Sequence, residues 1–464
     1  MIWQHQWPIC LLLCILPIIC VTIDGIPRLH PEWIQFNPKN FTASSSLLFN
    51  GYGTSIQLTY GYVLINSYQE PYVSDAASVS SAGTIYCHRR EKNADGHMVA
   101  TEPYMLYSPS PMENGNFGFI IAATDHFLFA TESLSYTKIM IHVYDLAGEV
   151  PTHCHALSPV FTVPTISSVR ITARDDYLAV AEPANYIGQY MVGQVHIYRY
   201  NSDSIQWESI QLIRGSIPNG LFGANVVFWG TDCGHPTLFV QQDNHDLPQF
   251  NALNVFQWDH DHGYFIHTDT IADLVATVAA AGDDLVIFTQ SDSPLLQYRL
   301  DSTGRWTVKT MVTPPTGLQR ALLGNDLAIG STGLAVVGSL SYDVLVTNLK
   351  DWVGIVNVPN ATYSSASFGV ELCMDGDIFA CGCWPTTAMA PAVFLVDLHT
   401  THSPLWLQIL QWNERHPLLT VMLAFAVAST LVGHSVVVIV CCGDLLAVSW
   451  ATARYSAVED DLLW

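Results

Sequence analysis

The sequence predicts an all-β protein, a seven-bladed β-propeller with a C-terminal single transmembrane helix, and three observations carry that prediction. Short β-branched or aromatic runs bounded by Gly, Asn, Asp or Pro recur in groups along the chain, as antiparallel strands joined by hairpins do. The groups return about every 50 residues, the length of a four-stranded blade and too long for a leucine-rich or helical repeat. One run near the C-terminus is long and apolar enough to cross a bilayer.

Taken in order, Ile9 to Val21 is an apolar run followed by the polar Thr22-Ile23-Asp24-Gly25, which predicts a signal peptide over 1–23. Met1 to Pro8 holds no Lys or Arg, so a signal anchor stays open. The propeller is expected over 24–399. Its clearest unit reads Leu221-Phe222-Gly223-Ala224-Asn225-Val226, then Thr237-Leu238-Phe239-Val240, Ala252 to Trp258, and Gly263 to Ile266. Tyr52-Gly53 and Phe117-Gly118 open the first two units, and a third runs from Val169 to Leu212. A fifth contains Asp284 to Phe288, Leu296 to Leu300 and Gly304 to Val308; a sixth, Gly333 to Gly338 and Gly354 to Val358. The seventh starts at Phe368-Gly369 and ends with Ala392 to Val396. A single blade cannot bury both apolar faces, so neighbours stacked around an axis must supply the core. An open sandwich is the other architecture the pattern allows.

The order Phe-Gly, an apolar strand ending at Ala181-Glu182-Pro183, Gly193-Gln194-Val195-His196-Ile197-Tyr198 and then Trp207 resembles the FG-GAP repeat of integrin α-chains. The resemblance covers nearly all of 24–399. It implies that an N-terminal segment, here Trp33-Ile34-Gln35-Phe36-Asn37, supplies the outer strand of the last blade, whose own fourth strand is missing before Thr400. Calcium hairpins are common in that family, but no D-x-D-x-D-G loop occurs. The nearest match is Asp259-His260-Asp261-His262-Gly263, which makes Asp259 and Asp261 weak metal candidates beside the plainer reading of a polar turn. Only a stalk, 400–416, separates ring from membrane, so the chain is not itself an integrin.

Residues 417–443 hold no Asp, Glu, Lys or Arg and are expected to form the transmembrane helix, leaving 444–464 as a cytoplasmic tail. Six cysteines lie between the signal peptide and the helix, and an oxidising compartment would favour disulfides among them, with the pairing open. Cys381-Gly382-Cys383 reads as two thiols on one face of a strand, or as a metal pair. Asn40 and Asn360 begin glycosylation sequons. With 17 Lys and Arg against 40 Asp and Glu, the net charge of −23 leaves no basic face for phosphates, so nucleic acid is an improbable partner. In the tail, Tyr455-Ser456-Ala457-Val458 has the form of an endocytic signal, and Leu462-Leu463 follows acidic residues as in a di-leucine signal. Both imply contact with clathrin adaptors and residence at the plasma membrane or in endosomal or secretory membranes.

No hydrolase, metalloprotease or phosphate-loop motif is present, and no cofactor motif, calcium being the one ion the resemblance brings in. A propeller presents rigid loops, so binding has the better physical basis. The inserts from Tyr68 to Ala82 and from Ala184 to Val192 join second to third strands, and Tyr68, Tyr72, Tyr186 and Tyr190 are the candidate ligand contacts. His260, His262 and His267 are candidate acid-sensitive groups. The expectation is a type I membrane glycoprotein with a receptor-like or adhesion-like propeller that takes a protein or glycan. A membrane-tethered hydrolase and a structural surface protein are the alternatives.

Overall fold

The computed structural model describes residues 22–23, 26–29, 32–37, 51–74, 78–92, 98–157, 161–162, 168–230, 236–244, 246–247, 250–272, 276–281, 284–289, 295–313, 323–339, 343–350, 352–357, 367–384 and 391–398. The chain divides into two compact units, Met1–Thr401 and His402–Trp464. The second lies outside the described residues, as do Asn40, Asn360 and Cys233. With it lie the stalk, the apolar run 417–443 and the tail with Tyr455, Val458, Leu462 and Leu463. Among the described residues no helix is long and apolar enough to cross a membrane.

The first unit is an all-β propeller. Six blades are each built from four strands taken in chain order. Blade 1 is Tyr52–Leu58, Tyr62–Ser67, Thr84–Lys92 and Tyr104–Leu106. Blade 2 is Ile121–Ala123, Phe127–Ser135, Lys138–Asp145 and Thr152–Ala156. Blade 3 is Arg170–Arg174, Tyr177–Glu182, Gln194–Asn201 and Gln206–Arg214. Blade 4 is Val226–Trp229, Thr237–Gln242, Ala252–Asp259 and Tyr264–Ala272. Blade 5 is Ala276–Ala281, Asp284–Thr289, Leu295–Leu300 and Trp306–Val312. Blade 6 is Leu323–Ile329, Ala335–Ser339, Asp343–Thr347 and Trp352–Asn357, with Ile26–Leu29 added in parallel to its outer strand.

Contiguous chain therefore supplies six blades, not the expected seven. The remaining four-stranded sheet is a composite: Ser367–Asp375, Ile378–Trp384 and Ala392–Asp397 are completed by Glu32–Phe36 from the N-terminal side. Its inner strand lies beside those of blades 6 and 1, so this closing sheet joins the two ends of the ring. Pairing Glu32–Phe36 against Ala392–Asp397 covers the edge that the three later strands would otherwise leave open.

Second strands are buried along their whole length in blades 1, 3 and 4, because each is covered on both faces by neighbouring blades. The outer strands meet the preceding blade through one aromatic each. Trp207 packs edge-on to Phe129 of blade 2 at 4.8 Å, Phe265 to Tyr177 of blade 3 at 5.8 Å, and Trp306 to Phe239 of blade 4 at 5.0 Å.

The Phe-Gly signature has a physical reason. Gly118 has φ +76°, and a Cβ there would stand 2.7 Å from Ile85 Cγ1 on blade 1. Gly83, at φ +86° before the third strand of blade 1, abuts the backbone of Phe117, so the two glycine motifs interlock across the blade boundary. After such a glycine the inner strand bulges. Pairing advances from Tyr52 to Ile56 while the partner strand moves only from Ser67 to Ile65; Leu323 to Leu327 and Phe368 to Leu372 repeat the step. The bulged side chains reach the next inner strand. Ser55 Oγ accepts the Ile121 N–H at 3.2 Å, Asp326 Oδ2 the Leu372 N–H at 2.6 Å, and Glu371 that of Ile56.

The expected disulfides do not form among the described residues: Cys87, Cys154, Cys373, Cys381 and Cys383 remain thiols. Their places explain this: Cys87 belongs to blade 1 and Cys154 to blade 2, and in the closing sheet Cys373 stands opposite Ala380, one step out of register with Cys381. Cys381 and Cys383 are both buried in one apolar cluster, on one face of one strand. Burial pushes the thiols of Cys373 and Cys383 up to about 12.

Candidate functional site

Antiparallel blades send their connections alternately to two faces of the ring. The links from second to third strands emerge on one face, the tight hairpins between third and fourth strands on the other. On the first face, the links of four consecutive blades expose large apolar side chains. Blade 1 shows Val73 at 70% exposure and blade 2 Tyr136 at 94%. Blade 3 shows Tyr186, at 55%, with Ile187 and Tyr190, and blade 4 shows Leu247 and Phe250. Scattered exposed apolar residues are ordinary; their recurrence on one face is the feature that defines a candidate binding surface.

The four tyrosines expected to bind ligand divide into two roles. Tyr186 and Tyr190 stand on a small hairpin, Tyr186–Ile187 paired with Tyr190–Met191, and project into solvent. Tyr68 and Tyr72 lean on the connection between blades 1 and 2. Tyr68 is edge-on to Phe119 at 4.6 Å and Tyr72 to Tyr107 at 5.0 Å. Burial raises the Tyr68 hydroxyl above its ordinary value.

Beneath this face lie three buried carboxylates: Glu70 just after a second strand, Glu182 at the end of one and Glu132 within the last part of one. Tyr86 Oη donates to both oxygens of Glu70 at 2.8 Å, and the Gly83 N–H donates to the Glu70 carbonyl at 2.9 Å. Glu132 Oε2 lies 2.7 Å from His142 Nε2, whose Nδ1 is 3.3 Å from His153 Nε2. With Glu132 ionised, His142 Nε2 is the donor. Glu182 accepts from Gln194 Nε2 at 3.0 Å and Asn185 Nδ2 at 3.5 Å, and its Oε1 is 2.9 Å from His196 Nε2. Asn185 then accepts the Val192 and Gly193 N–H groups through its carbonyl, which shuts the base of the Tyr186–Tyr190 hairpin. Both oxygens of Glu70 and Glu182 are hydrogen-bonded, which replaces their water; Glu132 is bonded through Oε2, while its Oε1 is buried without a partner among the described residues.

Sequence reading missed Glu70, Glu132, Glu182, Tyr136, Leu247 and Phe250. A usable signal existed for two of them: Glu132 and Glu182 each lie in the last part of a second strand, and each reaches a His on the third strand, His142 or His196.

The metal candidates fall on the opposite face. Asp259 Oδ1 accepts the N–H groups of Asp261 and His262 at 2.9 and 3.3 Å, and its Oδ2 lies 2.7 Å from His262 Nδ1. These bonds, the His262 side chain first, hold the Asp259 carboxyl below its ordinary value. Asp301 and Asn201 cap the matching hairpins of blades 5 and 3 in the same way, each accepting an N–H two residues on. Among the described residues no three His, Cys, Asp or Glu side chains gather as a metal site. His260 and His262 stand at the same hairpin tip and His267 on the outer strand beside Phe256, away from the tyrosine face.

No protein-family model matches the chain, and no curated protein matches it. Solved structures do overlap it. The Dos1 propeller aligns with 80% of this chain and 95% of its own length, at 11% identity and a TM-score of 0.43. The WD40 β-propeller domain of Doa1 aligns with 80% and 97%, at 9% identity and 0.44. The periplasmic gluconolactonase of Pseudomonas aeruginosa aligns with 66% and 85%, at 12% identity and 0.42. The class the topology defines is a β-propeller. No family within that class is singled out by these overlaps.

Proposed function

We propose that this chain is a membrane-anchored binding protein of the FG-GAP kind, which offers the face built by its second-to-third strand links to a protein or glycan ligand. The observation that carries the proposal is the row of exposed Val73, Tyr136, Tyr186, Ile187, Tyr190, Leu247 and Phe250 over four neighbouring blades. Aromatic side chains offer large contact area at low entropic cost, and buried carboxylates hold them in place. The interlocked glycines of Gly83 and Gly118 support placing the repeat with FG-GAP blades.

Anchoring, glycosylation at Asn40 and Asn360 and adaptor contact through Tyr455, Val458, Leu462 and Leu463 rest on sequence motifs. They give the orientation: ring outside or in the lumen, tail in the cytoplasm, as a type I protein of the cell surface or endosomal and secretory membranes. The deciding experiment is thermal unfolding of residues 24–415 with panels of glycans and proteins. A ligand that raises the midpoint for the native protein, but not for Tyr136→Ser/Tyr186→Ser/Tyr190→Ser, is the expected result. A ligand whose effect survives those substitutions moves the site elsewhere, and turnover of a generic ester replaces the proposal with a hydrolase.

A further inference from the structure

The inner strands that close the ring place two carboxyl groups at matching positions. Asp326, on the inner strand of blade 6, accepts the Leu372 N–H from the closing sheet at 2.6 Å. Glu371, next to Leu372 on the closing sheet, accepts the Ile56 N–H of blade 1. In blade 1 the corresponding residue is Ser55, which makes the same reach to Ile121 without a charge. An acid is thus not needed to make the latch, yet two successive latches at the seam are acids.

Their surroundings disfavour two negative charges. Burial raises the Asp326 carboxyl to about 7, and it raises Glu371 as well, with the charge of Asp326 adding to the effect. The groups facing the pair come from each packed strand. Cys373 and Asp375 share the strand of Glu371, and Arg90 of blade 1 is drawn to Asp375 at 2.5 Å. Gly382 presents backbone from the adjacent strand. Arg170, from the inner strand of blade 3, is the cation that acts on Glu371, and its own charge is disfavoured by burial.

We propose that Asp326 and Glu371 form a proton-holding latch that ties the ring's closing seam more tightly in mild acid than at alkaline pH. A protonated carboxyl keeps a carbonyl oxygen for the backbone N–H, so the latch survives protonation. Loss of the last proton sets two like charges on neighbouring strands. The sign follows from the direction of both shifts: folded values above the unfolded ones give stability that is complete at low pH and is lost as pH rises through about 7. This inference depends on the ring and not on the proposed ligand.

The test is the unfolding midpoint of the full-length chain in detergent at pH 5.5 and pH 8, by tryptophan fluorescence, for the native protein, Asp326→Asn and Glu371→Gln. The amides mimic the neutral acids. Each variant is expected to exceed the native midpoint by a margin that is roughly 2–5 °C larger at pH 8 than at pH 5.5, because the unfolded carboxyls are already ionised at pH 5.5 and the folded ones ionise only near 7. General relief of the −23 charge by acid is shared by all three proteins and cancels in the comparison. Variants no more stable than the native protein at pH 8, or better by the same margin at both pH values, overturn the proposal. Should the variants not fold, infrared spectra of the native chain decide: a protonated-carboxyl band that disappears near neutrality supports the latch, and no such band at pH 5.5–7 overturns it.

Discussion

At the scale of single residues, the exposed side chains of the candidate face stand on links held by buried carboxylates. Removing Glu182 leaves Gln194, Asn185 and His196 without their shared acceptor, so Glu182→Ala is expected to cost about 3–5 kcal/mol in urea unfolding. Glu182→Gln keeps a carbonyl oxygen and should cost less than half of that. Tyr186→Ser/Tyr190→Ser, at exposed positions, should leave stability within about 0.5 kcal/mol, which is what makes it a clean probe of binding. His153 and His155 supply a pH effect of opposite sign to that of Asp326 and Glu371. Burial lowers both imidazoles below their ordinary value, His142 adding to the effect on His153. Their contribution is present above the unfolded value of ~6.5 and is lost as pH falls below it. His153→Gln should accordingly lose less stability than the native protein between pH 6.5 and 5, measured by the same urea titration. Residue roles were only partly legible in the sequence. Tyr186 and Tyr190 read correctly as exposed because Gly188 and the surrounding polar residues mark a hairpin tip, whereas Tyr68 looks identical by composition and is packed on Phe119. A lone Glu at a strand end carries no sign of burial until its partner on the next strand is known.

At the scale of elements, the glycine signatures say most about how blades join. Gly118→Ala combines a positive φ with a Cβ 2.7 Å from Ile85 Cγ1, and is expected to cost about 2–4 kcal/mol by thermal unfolding. Ile85→Val in the same chain removes the Cδ1 atom, 3.2 Å away, but leaves Cγ1, so rescue should be partial; full rescue would show that space and not backbone conformation sets the cost. Strands flanked by such glycines could be read from sequence, as in the Gly333 to Gly338 run, which covers all but the last residue of Ala335–Ser339. Asp343–Thr347 was not recognised, because Asp-Val-Leu-Val-Thr is short and lacks a glycine on either side. The same weakness hid Tyr104–Leu106, a three-residue outer strand that pairs with Thr84–Lys92.

At the scale of the whole molecule, ring closure depends on contacts no local pattern encodes. The missing fourth strand of the last repeat was visible as a shortage before Thr400, and the strand that fills it came from the resemblance, not from periodicity. Glu32–Phe36 pairs with Ala392–Asp397 along five residues, from Glu32 opposite Asp397 to Phe36 opposite Val393. Phe36 is the hinge of this arrangement: it belongs to the closing sheet by hydrogen bonding, yet its ring lies 4.4 Å from that of His88 in blade 1. It shares a buried cluster with Tyr52, Ile56, Val63 and Tyr86. One side chain thus joins the first and last parts of the ring, and Phe36→Ala is expected to cost about 3–5 kcal/mol. Where that loss falls separates two pictures of the ring. If closure is cooperative, amide exchange should speed up together in blade 1 and in the closing sheet while blades 3 and 4 keep their protection, since the released edge sits between them. Faster exchange confined to Glu32–Phe36 would mean that the composite strand is an added layer, and that the six contiguous blades hold without it.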